Sequence, residues 1–164
     1  MPAFTLRLVK EEDDVALARI FRTVLPEYGA CGAGFAIADP EIDFIAKAYA
    51  RPRHAYFVVC QDGAVKGGAG VGPLAGGPQD VCELRKMYFL PEMRGLGAGR
   101  AALEACLGAA VLMGFKRCYL ETLGRMRRAR ALYEKNGFKP LDKPMGDTGH
   151  FGCDRWYIRD LAAA

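Results

Sequence analysis

A glycine-rich turn between a strand-like segment and a helix-like segment constrains this chain more than any other feature. The strand-like segment covers residues 81–91, and strong helix formers occupy residues 101–113. Between them lies Arg94-Gly95-Leu96-Gly97-Ala98-Gly99-Arg100. Such a turn presents unpaired backbone N–H groups at the positive end of a helix dipole, and its glycines let a ligand approach the backbone closely. The sequence therefore predicts a site for a phosphate or a diphosphate.

The spacing of these glycines distinguishes among known classes of phosphate-binding loop. It matches neither G-x-x-x-x-G-K-[ST] nor the G-x-G-x-x-G of dinucleotide folds. It does fit R-x-x-G-x-G, formed by Arg94, Gly97 and Gly99 after a long strand. Further along, residues 129–138 fit A-x-x-L-Y-x-x-x-G-F. With these two motifs in this order, the sequence resembles the GNAT superfamily of N-acetyltransferases.

The resemblance implies a fold and a cosubstrate. The expected fold is a single domain over residues 1–164, of the mixed α/β (α+β) class, with a splayed, largely antiparallel central sheet of six to seven strands and about four flanking helices. The expected cosubstrate is acetyl-coenzyme A (acetyl-CoA). Its pyrophosphate is expected at Arg94, Gly95, Leu96, Gly97, Ala98, Gly99 and Arg100, and its pantetheine arm at Met87, Tyr88 and Phe89. Met126 departs from the family pattern, which often has an asparagine there, so one polar contact to the arm is lost.

Length and composition agree with one globular domain. The chain has 164 residues, of which 51% are hydrophobic and 26% charged. Its apolar runs fall short of the roughly 18 residues that would span a bilayer, so we expect no membrane partner. Met1–Thr5 has no basic segment followed by an apolar one, so we expect no secretory signal.

Six cysteines are scattered along the chain, none in C-x-x-C spacing. This pattern favours reduced thiols in a cytoplasmic protein over a disulfide framework or a zinc site, and we expect no metal.

The formal net charge of +4 is unevenly distributed. Basic residues crowd the region after the glycine turn: Lys116, Arg117, Arg125, Arg127, Arg128, Arg130 and Lys135. An electropositive rim for the phosphates of coenzyme A and an ordinary solvated helix face explain this cluster equally well. A nucleic-acid patch is a weaker interpretation because no nucleic-acid motif accompanies the charge, so we expect no nucleic-acid partner.

Periodicity and turn residues predict the remaining elements. Strands are expected over residues 4–9, 55–60, 64–71, 116–122, 138–142 and 154–160, and helices from Asp13 or Asp14 to Pro26, over 39–49 and over 125–135. Asp39 is expected to be the N-cap of the second of these helices, with Pro40 at its first position. The resemblance places the acceptor pocket beside the first two helices and their linker.

A base is needed to take a proton from the acceptor amine. Glu83 is the first candidate, because the family often has a glutamate early in this strand and burial would raise its pKa towards neutrality. The alternatives are a structural pairing of Glu83 with a nearby arginine, the use of Glu121 as the base, or a chain of water molecules.

The strand that contains Glu83 also shows a slip in its pattern. Apolar residues fall at Cys82 and Leu84 and then at Met87 and Phe89, so the alternation shifts by one residue. This shift predicts a β-bulge, which would leave a backbone N–H free to face the ligand.

Tyr133 matches the tyrosine that acts as the general acid in the family, and a phenol of pKa near 10 suits protonation of a departing thiolate. The alternative is a packed aromatic residue on an amphipathic helix. Tyr28 and His150 are expected to contact the acceptor, which would be a small-molecule or peptide amine. A non-catalytic acyl-CoA binder or sensor with the same fold remains the rival function, and a homodimer is left open.

Overall fold

The computed structural model describes residues 3–161; Met1, Pro2 and the terminal alanines 162–164 lie outside the described residues. One seven-stranded sheet forms the centre, in the order β1-β2-β3-β4-β5-β7-β6. The strands are β1 (Thr5–Leu8), β2 (Ala55–Gln61), β3 (Ala64–Pro73), β4 (Val81–Phe89), β5 (Arg117–Thr122), β6 (Lys139–Leu141) and β7 (Arg155–Asp160). All neighbours are antiparallel except β4 and β5, which are parallel. The predicted fold class is confirmed.

Within residues 3–161, four α-helices flank the sheet: α1 (Asp14–Val24), α2 (Ile45–Ala48), α3 (Ala98–Leu112) and α4 (Arg127–Lys135). Buried side chains of α3 and Tyr133 of α4 pack in one core cluster with Cys82 and Leu84 of β4. A second cluster joins α1 and α2 to β2 and contains Leu17, Phe21 and Ile45. The sheet therefore separates these two hydrophobic cores, and a smaller third cluster contains Leu74, Val81 and Tyr119.

The prediction of one continuous helix over residues 39–49 is wrong. Pro40–Asp43 form a 3₁₀ turn, the backbone leaves the helical region at Phe44, and only Ile45–Ala48 are α-helical. Asp39 makes no side-chain capping bond. Its carboxylate instead pairs with Lys86 of β4 and with His150. The side chain of Asp39, predicted to cap a helix, thus forms long-range ion pairs instead.

β4 and β5 separate along their length. Their ladder joins Val81 to Arg117 and ends where Glu83 faces Tyr119. Beyond this pair, β4 continues to Phe89 and β5 to Thr122 without further pairing between them in the described part of the chain. The sheet is therefore splayed, and a space opens between the two strands.

The predicted β-bulge is present in β4. Arg85 faces Gly70 of β3, but the next paired residue of β4 is Tyr88, which faces Gly68. Two residues of β4 therefore oppose one residue of β3, and Lys86 takes the left-handed φ of 49°. The bulge explains the slip in the sequence, since Cys82 before it and Met87 after it contact the same core.

The glycines of β3 make room for Tyr56. A Cβ built on Gly70 would lie 2.5 Å from Cδ2 of Tyr56, and one built on Gly68 would lie 2.6 Å from its Cε1. The buried Tyr56 hydroxyl donates a hydrogen bond of 2.8 Å to the carbonyl of Lys86. The bare face of β3 thus admits the aromatic side chain that holds the bulge.

In the described residues, no helix combines the length and the apolar character needed to cross a membrane. All six cysteines are free thiols, and four of them are buried. This agrees with their interpretation as reduced residues.

We expect Gly70→Ala to lower the free energy of unfolding by about 1–3 kcal/mol, because the added methyl group collides with Tyr56. Gly108→Ala is the matched control: Gly108 is exposed within α3, and a methyl group added there would meet no atom within 4 Å. That change should stabilise the protein by about 0.5–1 kcal/mol. Urea denaturation of both variants tests this, and equal effects of the two substitutions would contradict the packing role of Gly70.

Candidate active site

The glycine turn after β4 leads directly into α3 and leaves its backbone open. Gly95 and Gly97 have φ values of 80° and 86°, a conformation that glycine adopts without strain. A Cβ built on either residue would meet no atom within 4 Å. Because α3 is 15 residues long, its free N–H groups and its dipole favour an anion at this end. The local geometry fits a diphosphate.

A groove runs along this turn between β4 and α4. Most of the predicted cofactor residues line it: Met87, Tyr88, Phe89, Arg94, Gly95, Gly97, Ala98, Gly99 and Arg100. Leu96 does not line the groove, and its side chain is 46% exposed. Arg128 of α4 does line it, which brings one member of the basic cluster to the groove.

Tyr28, predicted to contact the acceptor, lies on this groove and not in the adjoining pocket. Its ring lies 5.9 Å below the guanidinium of Arg94, which also pairs with Glu27 at 2.7 Å. Residues 27–28, at the end of the 3₁₀ turn that follows α1, therefore contact the glycine turn. Arg100 pairs with Glu104 one turn further along α3, at 2.9 Å.

A second, more enclosed pocket lies where β4 and β5 diverge; we call it the reaction pocket. Glu83, Glu121, Tyr133 and His150 all line it, together with Cys153. The reaction pocket and the groove share four lining residues: Met87, Tyr88, Met126 and Ala129. A long ligand in the groove could therefore extend into the reaction pocket without crossing the core.

Glu83 is 5% exposed, and its Oε1 accepts a hydrogen bond of 3.0 Å from Nε of Arg85. Burial raises the pKa of Glu83, and the charge of Arg85 offsets only part of this effect, so the pKa stays above its ordinary value. Both sequence interpretations of Glu83 thus have a structural counterpart, since it pairs with an arginine and also lines the reaction pocket.

Tyr133 lies on α4 and is 6% exposed. Its ring packs edge-on against Phe138, with the centroids 5.9 Å apart, and is tilted against Tyr157. The Tyr133 hydroxyl makes no hydrogen bond to another described residue. Every fully buried side-chain N or O atom of the described residues does have a hydrogen-bond partner. The hydroxyl is therefore not fully buried, and Tyr133 lines the reaction pocket. Burial raises the pKa of this phenol above the value near 10 expected from the sequence, which keeps it protonated at neutral pH and makes it a weaker acid.

His150 belongs to a network of charged residues that the sequence did not reveal. Its Nε2 lies 2.9 Å from both carboxylate oxygens of Asp39, and the same carboxylate contacts Nζ of Lys86 at 2.6 Å. Lys86 is buried and also contacts Glu41 at 2.5 Å. The only sequence signal for this network is a lysine at the slip in β4.

The network also shifts two pKa values. Burial would raise the pKa of Asp39, but the hydrogen bond from His150 and the charge of Lys86 outweigh it, and the pKa is lowered. For His150, burial would lower the pKa, but its hydrogen bond to Asp39 and the charge of that carboxylate outweigh it, and the pKa is raised.

Comparisons with known proteins agree with this architecture. Residues 17–138 match the model of the acetyltransferase (GNAT) family. An uncharacterized N-acetyltransferase of Escherichia coli (strain K12), YjgM, is 44% identical over 157 residues, which cover 95% of this chain and 94% of that protein.

Solved structures show the same fold. A GNAT-family acetyltransferase from Staphylococcus aureus Mu50 superimposes with a TM-score of 0.82 at 18% identity, covering 98% of this chain and 100% of that one. The yncA protein of Salmonella typhimurium, solved with acetyl-CoA, gives a TM-score of 0.78 at 18% identity, covering 99% and 96%. With the family model, the relative and the splayed sheet in agreement, this chain belongs to the GNAT family of acetyltransferases.

Proposed function

We propose that this protein transfers an acetyl group from acetyl-CoA to a primary amine, with both substrates bound at once. The observation that carries the proposal is that the two cavities adjoin and share four lining residues. A groove beside an anion-binding turn borders a pocket lined by a carboxyl group and a phenol.

The residues of the groove suit coenzyme A. Backbone N–H groups of residues 95–99 would hold the diphosphate, and Arg128 lines the same groove to balance phosphate charge. Arg94 and Arg100 also line it and would exchange their pairs with Glu27 and Glu104 for the phosphates. Met87–Phe89 lie beyond the last β4–β5 pair, so this edge of β4 is free to pair with the amide groups of the pantetheine arm. The yncA protein, which shares the fold, was solved with acetyl-CoA, and this supports the proposal.

The chemistry follows from the groups in the reaction pocket. Acetyl-CoA supplies the acetyl group as a thioester, whose C–S bond is replaced by a C–N bond to the acceptor. Glu83 takes the proton that the acceptor ammonium loses, so that the nitrogen lone pair becomes available. Tyr133 gives its proton to the departing sulfur. The bulge at Lys86 places irregular backbone of β4 beside the pocket, where an N–H can stabilise the charge that develops on the thioester oxygen.

Glu83→Gln should lower kcat/KM by about 10²-fold or more, because glutamine cannot accept the proton. In the unsubstituted protein, kcat/KM should rise with pH as Glu83 loses its proton, at a pKa above the ordinary 4.5. That rise should be missing in the variant and should not depend on the acceptor used. The pH profiles of both proteins with two acceptors of different basicity test this; an unchanged profile would assign the base elsewhere.

Tyr133→Phe should lower kcat by about 10²-fold and leave the Kd of coenzyme A within about twofold, since only the proton donor is removed. Tyr157→Phe is the control, because the Tyr157 hydroxyl binds Arg130 and Glu134 and does not line the reaction pocket. It should leave kcat unchanged. Steady-state kinetics and calorimetry measure both quantities, and equal losses of kcat in the two variants would reduce Tyr133 to a packing role.

The activity itself is tested by a broad acceptor screen that monitors thiol release from acetyl-CoA. The set should include amines, polyamines, amino acids and peptides with free amino termini. Acetylation of at least one of them is expected. Tight binding of acetyl-CoA with no turnover on any of them would favour the rival function of an acyl-CoA sensor.

A further inference from the structure

Three hydrogen-bond acceptors converge in the reaction pocket. Glu83 of β4, Glu121 of β5 and His150 each place one nitrogen or oxygen atom within 4.8 Å of the other two. We call these residues the acceptor triangle. One side joins Nδ1 of His150 to Oε1 of Glu121, at 3.7 Å. All three residues line the same pocket as Tyr133.

The hydrogen bonds of His150 fix which of its nitrogens faces the triangle. Nε2 lies between the two oxygens of Asp39, and a carboxylate can only accept, so Nε2 carries the proton. In the neutral ring, Nδ1 is then an acceptor that faces the carboxylate of Glu121. Two acceptors at this distance repel each other unless a donor lies between them. That donor is either a second proton on Nδ1, which the raised pKa of His150 favours, or the ammonium of a ligand that takes the place of this proton.

Two hydroxyl groups orient the carboxylate of Glu121. The Thr148 hydroxyl donates to its Oε1, and the Tyr119 hydroxyl donates to its Oε2 at 2.8 Å. Each carboxylate oxygen has two lone pairs, so Oε1 can accept a second hydrogen bond from a ligand in the pocket. The hydroxyls thus fix the direction of Glu121 and leave its negative charge in place.

Glu83 also presents an unused acceptor. Arg85 binds its Oε1, whereas its Oε2 has no hydrogen bond in the described residues. Because no buried side-chain oxygen there lacks a partner, Oε2 is open to the pocket, although Glu83 as a whole is 5% exposed. Glu83 thus keeps one carboxylate oxygen without a hydrogen bond among the described residues, and it lines the same pocket as Glu121 and His150.

The size of the triangle admits an ammonium group. A tetrahedral ammonium that donates three hydrogen bonds of about 2.9 Å holds its acceptors about 4.7 Å apart. The sides of the triangle are at most 4.8 Å, and the side between His150 and Glu121 is 3.7 Å, so these two acceptors lie closer together than that spacing. The attraction of a positive charge to two carboxylates, and not an exact match of distances, therefore favours the ammonium of the proposed amine substrate.

The same pocket is unsuited to a carboxylate next to that ammonium. Its lysine and arginine are already neutralised within the described residues: Lys86 binds Asp39 and Glu41, and Arg85 binds Glu83 and the carbonyl of Pro73. The other lining residues include Leu25, Phe35, Leu123 and Met126, which are apolar. His150, when protonated, is likewise paired with Asp39 and Glu121. A carboxylate on the amine-bearing carbon would therefore meet carboxyl groups, apolar walls and cations that already have partners among the described residues.

We propose that the acceptor triangle binds the reacting ammonium of a primary amine that has no carboxylate on its amine-bearing carbon. α-Amino acids are therefore excluded as acceptors at their α-amino group, whereas decarboxylated amines and amino groups next to an amide fit. This inference rests on the proposed acetyl transfer and narrows its acceptor.

The test compares sets of three acceptors that share a side chain: phenethylamine, phenylalaninamide and phenylalanine, and isoamylamine, leucinamide and leucine. Binding to the complex with coenzyme A is measured by calorimetry, and kcat/KM is measured with acetyl-CoA. The amine and the amide should bind and react at least roughly 100-fold better than the matched amino acid, because only the latter brings a like charge into the pocket. Equal or better use of the amino acids, or no binding of any amine or amide, would overturn the inference.

Variants then test the triangle itself. Glu121→Gln should lower the preference for phenethylamine over phenylalanine at least tenfold, since it removes one negative charge and keeps the shape. Glu12→Gln, an exposed residue of the 3₁₀ turn before α1, is the control and should leave the preference unchanged. An unchanged preference in Glu121→Gln would overturn the role of the triangle.

The acceptor sets also separate failure of this inference from failure of the proposed function. If the α-amino acids are acetylated instead, only this inference fails. If no acceptor of any class is acetylated, the proposed function fails.

Discussion

The bulge at Lys86 is the constraint on which the site depends. A regular β4 would direct Met87 and Phe89 away from the core that Cys82 and Leu84 enter. The extra residue restores the alternation and bends the strand, and beyond Glu83 β4 no longer pairs with β5. The bulge thus divides β4 into a part that pairs with β5 and a part with a free edge. This free edge borders the space in which the reaction is proposed to occur.

Several contacts from distant parts of the chain stabilise this irregular backbone. The Tyr56 hydroxyl binds the carbonyl of Lys86, and the glycines of β3 admit the Tyr56 ring. The buried ammonium of Lys86 is balanced by Asp39 and Glu41. Removal of one partner from such a buried group leaves an uncompensated charge, which is costly. The pairs therefore bind the bulge to the segment before α2, and through Asp39 to His150.

The sequence predicted those features that arise from local patterns. The glycine turn and α3 follow from residues adjacent in the chain, and the bulge follows from the slip between Leu84 and Met87. The break of the second helix at Phe44 has no signal in the sequence pattern. The ion pair between Asp39 and Lys86 could not be predicted, because the two residues lie 47 positions apart. The position of Tyr28 on the groove and the pairing of His150 with Asp39 depend likewise on tertiary contacts. Glu83 and Tyr133 were located by motif, and the structure adds that they share one pocket.

The central claim is that the glycine turn and the free edge of β4 together bind one cosubstrate. A crystal structure of the protein with coenzyme A tests it most directly. The account predicts that the diphosphate accepts hydrogen bonds from backbone N–H groups of residues 95–99 and that the pantetheine arm lies along Met87–Phe89, in the gap between β4 and β5. A diphosphate bound elsewhere, or a gap closed by renewed pairing of β4 with β5, would contradict it.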